Sequence, residues 1–334
     1  MKVLITGIAG HLGSCFARWI LDKMNGVEVY GIDDFSTGYR ENVPHGVNLY
    51  PCVLGSNTAE TPLNAHQYDY VFHFAAYAAE GLSPFIRCYN YSNNLHGTAQ
   101  VVNACIRNSV RRLVFTSSMA VYGDQETPFY EDANCCPLDP YGNAKLASER
   151  DIQIAGEQHG LDWCIIRPHN VYGPYQDIWT PYRNVLGIWM ARALRGEPML
   201  IYGDGSQQRA FSYIDKVIPC LWQAATTRDA SKQIINLGGK IPISIGEAAS
   251  YVSHITGADI QYAEPRHEVK FAWTSFQKSE DILGYEEDEF ATGQGVDAMW
   301  RWAQQAWEEY PQRQTRREAF SIEMEKGLYA FWKK

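Results

Sequence analysis

Apolar residues recur along the first half of the chain in short runs, each followed by a polar turn and then by a stretch of helical spacing. Such runs cover Lys2 to Thr6, Val27 to Ile32, Leu49 to Leu54, Tyr70 to His73, Val110 to Phe115 and Trp163 to Arg167. Their brevity and near-continuous apolar character predict strands buried on both faces of a parallel sheet. Between them, Leu12, Phe16, Trp19, Ile20 and Met24 fall near one face of a helix. Further helices are predicted over Asn94 to Cys105 and from Tyr141 to about Gln158. Strand and helix alternate, the pattern of a doubly wound α/β sheet.

The texture changes after Pro168. Residues 169–177 are aromatic and turn-rich. Helices are predicted over 184–196, Tyr213 to Ala225, Ser244 to Thr256 and Asp297 to Tyr310, with short strands at Met199 to Tyr202 and Ile234 to Leu237. Ser244, with Glu247 three residues on, forms the signature of a capping box. The pattern divides the chain into 1–168, rejoined by about 213–240, and a smaller mixed α/β unit over 169–334. The charged stretch from Arg313 to Lys334 carries Phe320, Met324 and Leu328 at intervals of four, which predicts a surface helix.

Composition narrows the partners. The 334 residues are 46% hydrophobic and 20% charged, an ordinary globular balance. A net charge of −9 argues against a nucleic-acid partner. The longest apolar runs are too short to span a bilayer, and Met1 leads directly into a strand, so neither a membrane nor a leader peptide is expected. The eight cysteines form no C-x-x-C pair, which predicts mostly buried free thiols in a reducing cytoplasm. Cys135 and Cys136 are adjacent but lack further ligands for a metal.

Candidate chemistry lies at the strand ends. Gly7, Gly10, His11, Leu12 and Gly13 make a glycine turn between a strand and a helix, the opening of a Rossmann dinucleotide site. Asp33 follows Gly13 by 20 residues, where a carboxylate accepts from an adenosine ribose and repels a 2′-phosphate, favouring NAD. Asp34 could share that role. Ala75 and Ala76 are small enough to pack against a flat cofactor. Ser118 emerges from the fifth strand, and Tyr141 and Lys145 share one helix face. A fixed ammonium beside a phenol is expected to ease its ionisation. The three make a candidate proton relay.

These residues fall in an ordered set of motifs: TGIAGHLG at 6–13, HFAA at 73–76, NNLHGT at 93–98, TSSMAVYG at 116–123, YGNAK at 141–145, RPHNVYGP at 167–174, GDGSQQRAFSYI at 203–214 and PRHEVK at 265–270. Over residues 1–310 the chain resembles the extended short-chain dehydrogenases that act on nucleotide sugars, within them the UDP-sugar 4-epimerases. The resemblance implies that Tyr141 is the acid and base, that Lys145 holds the nicotinamide ribose, and that Ser118 bridges Tyr141 and the sugar. It implies Asn94 near the cofactor, Asn170 on the sugar diphosphate, and Arg209 and Arg266 on its phosphates. His169 would pack rather than catalyse. A homodimer through the helices at 94 and 141 is also implied.

The implied reaction is inversion at C4 of a UDP-sugar through a 4-keto intermediate. Related dehydratases and decarboxylases carry acid–base residues beside Ser118, where this chain has Met119 and Ala120. The chain departs from the family's pattern at Ala78, where a lysine is usual, at Leu54 to Ser56, which lack an aspartate, and at Glu80. Glu80 is read as a structural acid meeting backbone amides, or as an extra acid facing the sugar. Ala272 aligns with the position that limits space beside the sugar C2, and its small side chain would admit an N-acetyl group. Two alternatives stand beside epimerisation: a dehydratase using Glu80, and an NAD-binding regulatory protein without turnover.

Overall fold

Seven strands form one parallel sheet in the computed structural model, which describes residues 1–266, 268–287, 289–290, 293–315 and 319–329. They are β1 (Lys2–Thr6), β2 (Glu28–Asp33), β3 (Val47–Pro51), β4 (Tyr70–His73), β5 (Arg112–Thr116), β6 (Trp163–Pro168) and β7 (Gln233–Leu237). Their order across the sheet is β3-β2-β1-β4-β5-β6-β7. The direction of winding reverses between β1 and β4, and a crevice opens beyond the carboxyl ends of strands at such a switch. Thr6 pairs with both Ile32 and His73, so the glycine turn and the HFAA segment leave the sheet side by side.

The helices that matter for the site are α1 (His11–Lys23), α2 (Gly97–Arg107), α3 (Pro140–His159) and α4 (Ile214–Thr226). Pro140 at the first position and Gly160 in the left-handed conformation beyond the end bound α3. A buried ion pair sets its position on the sheet. Glu149 receives Arg167 Nε at 2.9 Å and Nη2 at 2.7 Å, and Arg167 also donates to the Tyr122 hydroxyl at 2.8 Å. α4 covers the other face and is tied to β5 by Arg112 Nη1, which donates to Ala224 O at 3.0 Å and Thr227 O at 2.7 Å.

The segments between β6 and α4, and after β7, build a lobe of small ladders. Residues 208–209 pair with 243–244 and with 271–272, 199–202 with 260–263, and 171–172 with 212–213. The pairings at 208–209, 243–244, 260–263 and 271–272, and the helix Gln277–Leu283, are absent from the sequence pattern, because segments of two to seven residues are too short for a period to be read. The capping box at Ser244 is present.

The C-terminal stretch corrects an expectation. Within 319–329 no helix forms, and residues 316–318 and 330–334 lie outside the described residues. The segment runs as a strap along residues 77–91. Its Glu323 N–H donates to Phe85 O at 2.8 Å. The Glu323 carboxylate accepts Cys88 N at 2.9 Å and Tyr89 N at 3.0 Å. Phe320 packs on Tyr77 and Tyr89 with ring centroids 5.0 and 5.4 Å apart. The backbone groups that a helix would satisfy internally are thus partnered by another segment, and Met324, the middle residue of the supposed stripe, is 51% exposed.

Candidate active site

The glycine turn is shaped for close approach. Gly7 has φ +71°, and a Cβ there would lie 2.7 Å from Ala75 N. A Cβ on Gly13 would lie 2.1 Å from Gly7 O. Among the described residues no side chain caps the start of α1 at Gly10, so its first-turn amides suit a pyrophosphate. The Asp33 carboxylate accepts Ala9 N at 2.9 Å and Phe35 N at 2.8 Å, which locks the end of β2 to the turn. Asp34 accepts Ser36 N at 2.8 Å. This donor-rich turn with a carboxylate at the ribose position fits NAD. Ala75 N donates to Thr6 Oγ1 at 3.3 Å, while His73 bridges Thr6 and Thr98 at 2.6 and 2.9 Å. Burial holds His73 down to about 3, so it is a neutral strut. Asn94 is buried and spent within the chain: its Oδ1 accepts Tyr77 N at 2.7 Å, and its Nδ2 donates to Tyr77 O at 3.1 Å and Asn90 Oδ1 at 2.8 Å. It fixes the loop after β4 against the start of α2.

Ser118, Tyr141 and Lys145 converge beyond β5. Ser118 hydrogen-bonds the Tyr141 phenol, and Ala120 N donates to Ser118 Oγ at 3.1 Å. Lys145 Nζ donates to Thr116 O at 2.7 Å. The expected easing of Tyr141 ionisation is corrected here. Burial pushes its phenol above its usual range, Glu80 and Asp139 add to the shift, and the Ser118 bond only partly opposes it. Lys145 does not offset this, because burial lowers its own ammonium to about 7. Its Nζ lies 5.9 Å from the centre of the Tyr141 ring.

The far wall carries the arginines. Arg209 donates to Gln208 O at 2.8 Å, Lys270 O at 3.1 Å and Val269 O at 2.6 Å, so much of its guanidinium binds 269–270 to the ladder. Arg266 lies over the Tyr202 ring at 4.8 Å. Glu268 stands between them, 3.8 Å from Arg209 and 3.4 Å from Arg266. Asn170 has φ +43° and donates to Ala210 O at 2.9 Å. His169 lies between Gly239 O and Thr274 Oγ1, each at 3.2 Å, and burial lowers it to about 4, a packing role.

Glu80 faces this cleft, and the reading of it as an acid bound to backbone amides is corrected. Its carboxylate accepts no hydrogen bond from a described residue; burial and then Asp139 push it up to about 7, against Arg209 and Arg266. Glu80 itself is exposed, so the upward shift reflects the protein mass around its carboxylate together with the neighbouring Asp139 charge. Ala272 is 5% exposed and packs with Val121, Tyr122 and Phe129, so neighbours fill in around its small side chain.

Several site residues escaped the sequence reading. Asp139 caps α3 by accepting Gly142 N at 3.0 Å, a role that Asp-Pro before the helix could have signalled. Ser83 Oγ accepts Tyr141 N at 3.1 Å and carries no such signal. Glu268 lies within a quoted motif but matters only through its position in space.

A sheet of this order, with a glycine turn at its switch point and a serine–tyrosine–lysine group beyond β5, defines a nicotinamide-dependent enzyme of the short-chain dehydrogenase type. The chain belongs to the NAD dependent epimerase/dehydratase family, whose model matches residues 3–238. It is 28% identical over 299 residues to a Bacillus subtilis (strain 168) protein described as an uncharacterized UDP-glucose epimerase, covering 86% of this chain and 93% of that one. The Thermotoga maritima UDP-glucose 4-epimerase with UDP-glucose superposes with a TM-score of 0.84 at 27% identity, over 92% of this chain and all of that one. The Bacillus cereus UDP-glucuronic acid 4-epimerase in complex with UDP-glucuronic acid and NAD gives 0.82 at 27% identity, over 91% and 99%. Among the described residues no helix is long and apolar enough to cross a membrane.

Proposed function

We propose that the protein inverts C4 of a UDP-sugar through a transient 4-keto sugar. The observation that carries this reading is the Ser118–Tyr141 hydrogen bond beside Lys145, across the cleft from Arg209 and Arg266. NAD, bound on the glycine turn, supplies the reversible acceptor for the hydride that leaves C4. Tyr141 takes and returns the proton of the 4-hydroxyl, and Ser118 donates to the phenol oxygen, which favours the phenolate. Lys145, anchored on Thr116 O, offers its remaining N–H groups to the nicotinamide ribose. Asn170, Arg209 and Arg266 retain the diphosphate while the ketone turns over. Met119 and Ala120 transfer no proton, so no water or carbon dioxide need leave.

The test is incubation of the chain and NAD with UDP-glucose, UDP-galactose, their N-acetyl counterparts, UDP-glucuronate and dTDP-, GDP- and CDP-sugars, followed by NMR and mass spectrometry. Interconversion of C4 epimers at constant mass is expected; a product lighter by one water sinks the reading and favours dehydration through Glu80. Tyr141→Phe should lower kcat by about 10²–10⁴, and near-normal turnover would remove Tyr141 from its role. If Ala272→Tyr leaves the ratio of acetylated to plain substrates unchanged, that position is not the gate. The same reading includes a cytoplasmic homodimer joined through α2 and α3, supported by the free cysteines and by Ile154, 41% exposed on α3.

A further inference from the structure

Three carboxylates share the cleft with Tyr141 and the arginines, and their positions differ in kind. Asp139 is committed to Gly142 N and lies 3.1 Å from Ser83 Oγ. Glu268 accepts Gln207 Nε2 at 3.1 Å and faces both arginines. Glu80 alone of the three has a carboxylate that accepts no hydrogen bond from a described residue. Its backbone is nonetheless fixed. Ser83 Oγ lies 2.8 Å from Glu80 O and accepts Tyr141 N at 3.1 Å, so one hydroxyl couples the Glu80 loop to the start of α3. Glu80 acts electrostatically on both Tyr141 and Arg209. A glycosyl group with its diphosphate on the arginines and its C4 hydroxyl at Tyr141 would come within range of this carboxylate, which acts on both.

We propose that Glu80 selects the glycosyl group, accepting a hydrogen bond from a hydroxyl of a neutral hexose and turning away a uronosyl group, whose own carboxylate would lie against it. The inference rests on the epimerase reading of the site, because that reading places the sugar between Tyr141 and the arginines. An uncommitted acceptor suits a hydroxyl donor, and two carboxylates forced together cannot both stay ionised. The charges around Glu80 are Asp139 and Glu268, which raise its carboxyl, and Arg209 and Arg266, which lower it; with burial the result is about 7. Arg183 is nearby, donating to Ala78 O at 3.2 Å. A uronosyl group can therefore enter with proton uptake below that pH, and at increasing cost above it. Its Kd should climb toward about tenfold per pH unit, while that of a neutral hexose does not.

Calorimetric titration of the NAD-loaded full chain with UDP-glucose and UDP-glucuronate at pH 6.5 and 8.5 tests this, with UDP as the check that each variant binds nucleotide. In the wild type the Kd ratio of glucuronate to glucose should rise about 25-fold between the two pH values. In Glu80→Gln, and separately in Glu80→Val, it should be flat and close to one. A wild-type ratio near one at pH 8.5, or a rise of the same size in both variants, overturns the proposal. NMR of the same samples keeps the two readings apart. A flat ratio with UDP-glucose epimerised removes the selector alone; a pH-dependent ratio without epimer removes the reaction and leaves the selector.

Discussion

Tyr141 is a weak acid in the free protein because burial outweighs the single hydroxyl that favours its phenolate. Its spacing from Lys145 was legible in the chain; its reluctance to ionise was not, since burial depends on residues from many segments. Lys145 shows the same limit. Its ammonium is held to about 7 from a usual 10.5, so between those values the unfolded chain binds a proton that the folded one does not. Stability must therefore rise with pH across that window, and the penalty is fully present below it. Thermal midpoints of NAD-free protein from pH 7 to 9.5 should climb in the wild type relative to Lys145→Met; parallel curves would refute the assignment. Glu268 holds the arginine pair that a diphosphate would occupy. Glu268→Gln should tighten UDP binding several-fold by calorimetry, as a competing anion is removed; weaker binding would show that the carboxylate instead poises the arginines.

At the scale of elements, β1, β2, β4, β5 and β6 could be read because parallel strands buried on both faces leave continuous apolar runs. What sets α3 on the sheet could not be read. Arg167 stood in a quoted motif, but Glu149 is one glutamate among many until the fold brings its two oxygens to the guanidinium. With both side chains buried, Arg167→Ala strands a charge and should cost about 3–5 kcal/mol in denaturant unfolding. A loss under 1 kcal/mol would mean that α3 is held by packing alone. The two-residue ladders and the strap escaped for a related reason, since their pairings are long-range and their own sequences lack period. Phe320, Met324 and Leu328 fit a helix stripe by spacing, but a four-residue interval alone could not distinguish a helix face from separate contacts of an extended segment.

For the whole molecule, the doubly wound sheet and its NAD site were legible because strand, turn and acid recur in order along the chain. The cleft opposite was less so, because Glu80, Asp139, Arg209, Arg266 and Glu268 come from distant loops. The proposed dimer is tested by light scattering, which should return twice the 37.9 kDa chain mass; a single chain mass at micromolar concentration would rule it out. The strap at 319–329 also gives assembly a direction in time. Glu323 lies 235 residues downstream of the Cys88 amide that it caps. At ordinary rates of synthesis that interval lasts on the order of 10–50 s. The loop bearing Glu80 thus waits, without its cover, while the rest of the chain is translated. Nascent chains stalled before Glu323 leaves the ribosome should be cleaved readily between Tyr77 and Tyr91, and released full-length chains should resist.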